Sequence, residues 1–557
     1  MTDSGRRALR RAGPAVSGAA PAELATERRR SWRLDWFDAA TLVLFLFVGC
    51  WTIIWLAARS APDHLWTETN GPYLGDQAQY LGWIRQSSEH LLVDDPYQVR
   101  SAPFDYLHPG LAVSGALVRL GVSASLAYLM WLPVAALALF CSIRAYVRHA
   151  LAGLAARRVA LVLALFFLSP FAVVAATWSW TQSIFYQSFA LEMWPAFYLW
   201  GYFFTALSVA AMIAGLLAYE RDRLEGRVRV GTLLYALFCG WLQPWQGATF
   251  VLILMAAEVW TAARAHRLER PVVPVLVVAT AVVPLLYYFA LSRFDQSWAL
   301  SKGVNMTSVP LGALFLNLAP IGIFALLGFR GPIAGLGDAV LRSWPISALV
   351  VLLAIDLAHV GTFPIHALQG LSVPFAVLAV KGARRVSLGA ARSRTVLGAV
   401  VVIALSGWGV EHQLAASRHI GEPTLVGGSQ PFYVKTGEER ALEYLAADPA
   451  KGAVLSTVYL GEIVPAETGR RTWVGIASWT PNFGRRVLLA DQLFRGELRP
   501  PEARALVRST GARFLLASCQ STINLKPLLG SLVTPARRFS CAGVYSVVGQ
   551  TGPAVEG

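Results

Sequence analysis

Charge is what this chain of 557 residues has least of: Asp, Glu, Lys and Arg make up 15% of it, against 55% hydrophobic residues. With a mean hydropathy of +0.50, such a composition excludes an ordinary soluble protein and points to repeated passage through a bilayer. Lysine is nearly absent, with five residues in all. The formal charge of +15 therefore rests on arginine, and the arginines fall in short clusters between apolar runs, not along one polar face. That pattern argues against nucleic acid as a partner and reads as a topology signal. Cysteine is also scarce, five residues. Cys50, Cys141 and Cys239 stand inside apolar runs and read as small buried hydrophobes. Only Cys519 and Cys541 share a polar stretch, where an oxidising compartment would permit a disulfide. No small-residue cleavage site follows the first apolar run, which is too long for a signal peptide and reads as a retained span. Repeats of the solenoid kind are missing too.

What is present can be threaded by the positive-inside rule. Residues 1–35 carry Arg6, Arg7, Arg10, Arg11, Arg28, Arg29, Arg30 and Arg33 among Gly, Ala and Pro, and read as a disordered basic cytoplasmic tail. Phe37 to Ala58 is long enough to cross ~30 Å of hydrocarbon, which puts the following loop, 59–109, outside. The run 110–120 is short and holds Arg119, so it reads as an interfacial or re-entrant helix. Runs at 125–146, 159–177 and 196–219 then cross in turn. The stretch 230–260 has arginines at both ends and Gln243-Pro-Trp-Gln-Gly247 inside it, which predicts two short spans meeting at a break near the outer face. Runs at 272–291, 311–329, 346–360, 371–380 and 395–410 follow, for about eleven spans. All the clear Arg clusters, at 144–158, 221–229, 264–270 and 381–394, then fall inside. From 412 the pattern turns mixed polar, with helical stretches at 438–447 and 501–509 and strand-like runs at 454–458, 472–476, 514–518 and 544–548. The expected fold is mainly α: a polytopic membrane bundle over 36–411 and an extracytoplasmic α/β domain over 412–557.

The stretch from Gly75 to Pro109 is a polar island with three acidic residues, Asp76, Asp94 and Asp95, among aromatics and prolines. Asp76 opens a helical pattern with Tyr80, Ile84 and Leu91 on one side. Spacing alone favours Asp76 as a helix N-cap; its location, outside and close to the first span, favours contact with a substrate at the membrane surface. Asp94 and Asp95, before Pro96, read as a turn; with further oxygens the pair would bind a divalent cation, magnesium or manganese, as cofactor. The loop lacks Asp-x-Asp, which leaves metal dependence open. Arg85, Arg100, Arg293 and Lys302 are the outer cations. Arg293, at a span end, divides evenly between snorkelling and phosphate binding, and Lys302 sits in a Gly- and Asn-containing loop able to fold over a ligand. Glu192 is costly in lipid and should face a cavity, a partner or water. Gln243, Trp245 and Gln246 at the broken span are cavity candidates, whereas Trp178, Trp180, Phe185, Tyr186 and Trp194 read as an interfacial belt. His108 and His366 are both outward, without ligands at zinc spacing; His108 is the likelier substrate contact. The basic turns 467–471 and 478–486 either reach over the cavity or are ordinary surface turns.

A first span with its N-terminus inside, a long outer loop with Gly75-Asp76 and Tyr80, and His108-Pro109 leading back to the membrane resemble the GT-C superfamily of integral membrane glycosyltransferases. The resemblance implies an enzyme that moves a sugar from a polyprenyl-phosphate carrier to a glycan, lipid or protein acceptor on the outer side of the membrane; the preference for Arg over Lys suggests a GC-rich genome and with it a eubacterial plasma membrane and cell envelope. It gives Asp76 the role of general base, with inversion at the anomeric carbon. It leaves Tyr80, His108, Glu192, Gln243, Trp245, Arg293 and Lys302 as candidate substrate contacts. Two other classes compete: a transporter or flippase of lipid-linked glycans, which would use charges within spans such as Asp356 and His359, and a non-catalytic assembly subunit.

Overall fold

A computed structural model describes residues 34–100, 103–266, 270–304, 308–358, 363–386, 391–421, 430–521 and 523–550. The basic tail expected over 1–35 lies outside them except for its last two residues. The chain divides into two units, Met1–Leu44 and Phe45–Gly557. In the first, Asp35 Oδ1 accepts the Asp38 amide at 2.8 Å as helix Trp36–Ala58 begins.

Among the described residues, eight helices are long and apolar enough to cross a membrane: Trp36–Ala58, Ala124–Ala150, Leu154–Thr177, Phe203–Glu225, Pro244–Ala265, Val272–Phe294, Leu311–Phe329 and Leu336–Leu357. The shorter apolar helices Val230–Leu242 and Ser372–Ala383 and the 27-residue helix Ala391–Ser417 stand at the remaining runs that the sequence marks as spans of a multi-pass membrane protein. The expected run 110–120 is the 11-residue helix Pro109–Arg119. The basic clusters meet at one end of the bundle. There His149 pairs with Glu220 at 2.8 Å, Arg384 donates to the Ala152 carbonyl at 2.8 Å, Arg264 to that of Ile333 at 3.1 Å and Arg270 to that of Arg223 at 3.2 Å.

Two boundaries near the other end bear on the site. The span expected from 196 begins only at Phe203. Pro195 opens a 3-10 turn, Pro195–Leu199, and Gly201 follows at φ +94°. A Cβ on Gly201 would stand 2.4 Å from Gln77 Nε2 and 2.5 Å from the Asn70 carbonyl oxygen, so this position is left-handed and also leaves room for nothing but hydrogen. At the predicted break, helix Val230–Leu242 stops and helix Pro244–Ala265 starts, with Gln243 extended between them at φ −153°, ψ 114°. The two arms close on each other where a Cβ on Gly247 would come within 2.5 Å of Gly240 Cα.

The C-terminal part is built on a four-stranded sheet, β3 (Val454–Leu455), β4 (Phe514–Ala517), β5 (Arg537–Phe539) and β6 (Ala542–Ser546), in the order β3-β4-β6-β5. β3 and β4 are parallel and the other pairs antiparallel. Alternation divides its residues between two faces. Leu455, Leu515 and Tyr545 point into a core with Leu493 and Val507, from helices Phe483–Arg495 and Pro500–Thr510. Val454, Phe514, Leu516 and Val544 point into a second core with Leu442 and Leu445 of helix Thr436–Ala447, and with Leu74 and Ala78 of the first loop. A further strand pair joins the same parts: β1 (Leu65–Trp66) runs antiparallel to β2 (Tyr433–Val434). The first loop is thus one wall of the C-terminal core, and this fixes its helix in space. The strand expected at 472–476 is not formed; only a bridge from Val454 to Thr472 marks it, because Thr472, Trp473 and Val474 turn inward beside Gly461 and Pro96.

Cys519 and Cys541 form a disulfide across a separation of 22 residues. Closing a loop of that size stabilises by about 3 kcal/mol in the chain-entropy account. Replacing both cysteines by serine is expected to cost that much, read as a lower Tm of the purified protein. Of the other three, Cys239 is buried as expected, but Cys50 is half-buried and Cys141 exposed. Trp194, placed in the interfacial belt, is fully buried, while Trp178 is exposed.

Candidate functional site

Helix Leu74–Ser87 carries the site. Leu74, Ala78, Leu81 and Ile84 are buried on one side, and Asp76, Gln79, Tyr80 and Trp83, at i, i+3, i+4 and i+7, line a cavity of about 970 Å³. The helix starts at Leu74 with Tyr73 as its cap. Asp76 is therefore not the N-cap but the third helical residue, where the dipole favours a carboxylate and the side chain stays available. Leu91 lies beyond this helix and is 67% exposed.

Asp76 opens to the cavity, and Tyr202 Oη donates to its Oδ2 at 2.8 Å. The packed walls around it push its carboxyl above the usual carboxylate range; the Tyr202 hydrogen bond and the nearby His366 oppose that push, and Glu192 adds to it. From the C-terminal part Glu462 comes close enough to feel the Asp76 charge; burial first, and Asp76 second, lift it to about 8.

Glu192, on helix Ser183–Met193, is buried in the cavity wall and fully engaged. Its Oε1 lies 2.9 Å from His366 Nδ1 and its Oε2 accepts from Gln369 Nε2 at 2.7 Å. Gln243 and Trp245 line the same cavity. Gln243 Nε2 donates to Thr205 Oγ1 at 3.0 Å, and the Trp245 ring meets that of His366 edge-on with centroids 4.9 Å apart. His108 also reaches the wall but serves structure: its Nδ1 accepts the Leu111 amide at 3.4 Å as the N-cap of helix Pro109–Arg119. Burial lowers its pKa to about 4, with a hydrogen bond to the Leu242 backbone opposing, so it is neutral near pH 7. Tyr287 and Trp241 clamp the returning loop, Tyr287 Oη accepting the Leu107 amide at 2.6 Å and Trp241 Nε1 donating to the Leu107 carbonyl at 3.0 Å.

Lys302 lines the cavity, on helix Gln296–Val304 and not in the open loop that its Gly and Asn neighbours predicted. Arg293, in the last turn of helix Val272–Phe294, is exposed and outside the cavity wall. Asp94 and Asp95 form the turn, away from the cavity. Asp94 pairs with Arg471 and accepts from Gln86 Nε2 at 2.8 Å. Asp95 Oδ1 accepts the Tyr97 amide at 2.9 Å and its Oδ2 accepts from Gln98 Nε2 at 2.8 Å; burial, partly offset by these bonds, raises it to about 7. With these oxygens in use, and no group of three or more His, Cys, Asp or Glu gathered to hold an ion among the described residues, the pair does not fit a metal site. Of the basic turns, 467–471 faces inward: Arg470 donates to the carbonyls of Leu445, Asp448 and Ala450, each at 2.6 Å. Ser478 and Trp479, from the other, do line the cavity. Asp356 accepts the Val309 amide at 3.2 Å, and His359 lies outside the described residues.

On its far side the cavity is apolar. Leu252, Leu285, Leu286, Phe289, Val351 and Ile355 line it, and it reaches the surface of the bundle at Ile184, Leu286 and Phe289, which are 70%, 62% and 60% exposed. Sequence reading missed Tyr202 and set His366 aside. Nothing near either in sequence marks them, since the partner of Tyr202 is 126 residues away and that of His366 is 174.

No family model matches the chain, and no curated protein matches it. Among solved structures it is similar to the Archaeoglobus fulgidus oligosaccharyltransferase in the apo form, at 12% identity and a TM-score of 0.51, over 91% of this chain and 74% of that one. The fold is that of the GT-C glycosyltransferases. A second similar structure is ArnT from Cupriavidus metallidurans in the apo state, at 12% identity and a TM-score of 0.46, over 92% of this chain and 100% of that one. In the GT-C fold of this chain, the spans supply the apolar half of the cavity, and the first loop, backed by the C-terminal part, supplies the acid.

Proposed function

We propose that the chain is a membrane glycosyltransferase that moves a sugar from a polyprenyl-phosphate carrier to an acceptor at the outer face of the membrane. The observation that carries this reading is Asp76, held by Tyr202 in a cavity whose other half is apolar and open at the bundle surface. A prenyl chain fits the apolar half, and the sugar then lies toward Asp76. The disulfide, which persists in oxidising compartments, and the arginines at the opposite end of the bundle support an outward cavity and an extracytoplasmic C-terminal domain from about 412.

In this mechanism the acceptor oxygen attacks the anomeric carbon as its proton passes to Asp76, acting as general base. The bond from that carbon to the phosphate oxygen breaks with its electron pair on the oxygen, and polyprenyl phosphate leaves. A phosphate departs without protonation but gains negative charge, which Lys302 offsets. One displacement inverts the anomeric carbon. No step is routed through a metal.

The reading is tested by incubating the protein in nanodiscs with glycosylated polyprenyl-phosphate lipids and a membrane extract as the source of acceptor. Free polyprenyl phosphate is then followed by mass spectrometry. Wild type should release it, and release should rise with pH through a pKa above the ordinary Asp range, since the base works deprotonated and Asp76 is shifted upward. Absence of release, or release that Asp76→Ala leaves unchanged, sinks the proposal.

A further inference from the structure

We infer that His366, keyed by Glu192, is a second cation for the carrier phosphate: its Nε2–H grips a phosphate oxygen of the donor and holds the charge that grows there as the sugar leaves. This rests on the glycosyltransferase reading above and adds a phosphate-binding residue to it.

The imidazole is fixed from every side but one. It belongs to the 3-10 turn Pro364–Leu368, whose carbonyl at His366 accepts from Gln246 Nε2 at 3.0 Å. Phe363 enters the turn at φ +44°, a conformation disfavoured for a bulky side chain, and lays its ring over the imidazole at a centroid distance of 4.9 Å. Trp245 meets it edge-on. Nδ1 lies 2.9 Å from Glu192 Oε1 and 3.2 Å from Gln369 Nε2; in the imidazolium it donates to the carboxylate, as in other carboxylate-oriented histidines. Nε2 is left in the cavity wall with no hydrogen-bond partner among the described residues.

The charges in the cavity wall give that nitrogen its task. The wall carries two acidic side chains, Asp76 and Glu192, and a neutral His108, and Lys302 is the only Lys or Arg among the described lining residues. A phosphodiester entering beside two acidic side chains has one lysine to meet it, and each acid that is ionised repels it. A protonated His366 reverses that balance. Of the elements packed on its turn, helix Ser183–Met193 presents Glu192, helix Leu336–Ala358 has Asp356 engaged with the Val309 amide, and helix Pro244–Ala265 has Glu258 bound to Arg223. Asp76 faces it across the cavity. Burial works against protonation, but Glu192, by charge and hydrogen bond, and Asp76 outweigh it, so the imidazole titrates above its ordinary value. The cation is present below that pKa and is lost as pH rises through it.

The test uses the full chain in nanodiscs and farnesyl methyl phosphate, a diester whose single charge is constant over the range examined, with farnesol as the uncharged control. Wild type should bind the diester about tenfold more tightly near pH 6 than near pH 9, the size of one charge-assisted hydrogen bond. His366→Gln should show the weak affinity at both, and Glu192→Gln should move the transition to lower pH. Farnesol should bind alike in all three proteins at either pH. Diester binding by His366→Gln that matches wild type in strength and pH dependence overturns the inference and leaves the glycosyltransferase reading intact. So does a parallel loss of farnesol binding in His366→Gln, which would make the histidine structural. If wild type does not bind the diester saturably, both readings fail.

Discussion

Asp76→Asn is expected to lower sugar transfer by roughly 10²- to 10⁴-fold, the usual worth of a positioned general base, in a protein that still folds. The fold does not need the charge. Asp76 faces the cavity, and its hydrogen bond, from Tyr202 Oη to Oδ2 at 2.8 Å, can be kept by an amide oxygen. Thermal stability should therefore stay within about 1 kcal/mol of wild type, as for surface changes in general. Tyr202→Phe is the informative companion. That hydrogen bond lowers the Asp76 pKa against the larger upward push of burial, so its loss should move the acid limb of the pH profile to higher pH. Well above the limb the rate should change little. Initial rates of polyprenyl phosphate release across pH, with Tm measured on the same samples, separate the two effects. Full activity in Asp76→Asn at neutral pH would remove the base from the mechanism.

How far the sequence foretold this site depends on the range over which each feature is determined. The spans are legible because they follow from local hydropathy and from arginine clusters, and these clusters do meet at one end of the bundle; their ends are less so, the run expected at 346–360 being helix Leu336–Ala358. The break at Gln243 was legible for the same reason: Pro244 and Gly247 act on their own backbone. The start of helix Phe203–Glu225 was not, because residues 196–202 are as apolar as a span. Pro195 opens a 3-10 turn there, and Gly201, at φ +94°, lies against Asn70 and Gln77. Asp76 was found by its place in the first loop, yet the cap expected of it failed, since the residues that begin the helix, Leu74 and Ala78, are set by packing on the C-terminal sheet. Gly303 and Asn305 disfavour helices and predict a loop at Lys302; helix Gln296–Val304 nevertheless forms, with Ser297 and Ser301 buried. Glu192, costly in lipid, predicts a cavity, a partner or water, but the partner it has, His366, comes from a turn that only the folded bundle brings to it.

Arg471→Ala should destabilise the protein by about 3–5 kcal/mol, as expected for removing one member of a buried ion pair. The Asp94 side chain is fully shielded from solvent, and that of Arg471 is 18% exposed. The arginine also donates to the Asp95 carbonyl at 3.0 Å, so it joins the C-terminal part to the turn of the first loop. Without it Asp94 keeps Gln86, its Nε2 donating to Oδ1 at 2.8 Å, and is left with an uncompensated charge. Burial already raises the Asp94 pKa, with Arg471 as the chief opposing influence; removing the arginine raises it further. A carboxyl whose folded pKa lies above its unfolded value contributes stability at low pH and loses it as pH rises through the folded pKa. The damage should accordingly be larger at pH 8 than at pH 5, and Asp94→Asn in the Arg471→Ala background should recover part of it. Transfer should suffer as well, because Trp83 lines the cavity while its Nε1 donates to the Asp94 carbonyl at 2.8 Å. A loosened turn therefore loosens the helix that presents Asp76. Denaturation curves of the single and double variants at the two pH values decide the matter: a loss below about 1 kcal/mol that does not vary with pH is the behaviour of an exposed pair, and would mean that this contact does not hold the first loop in place.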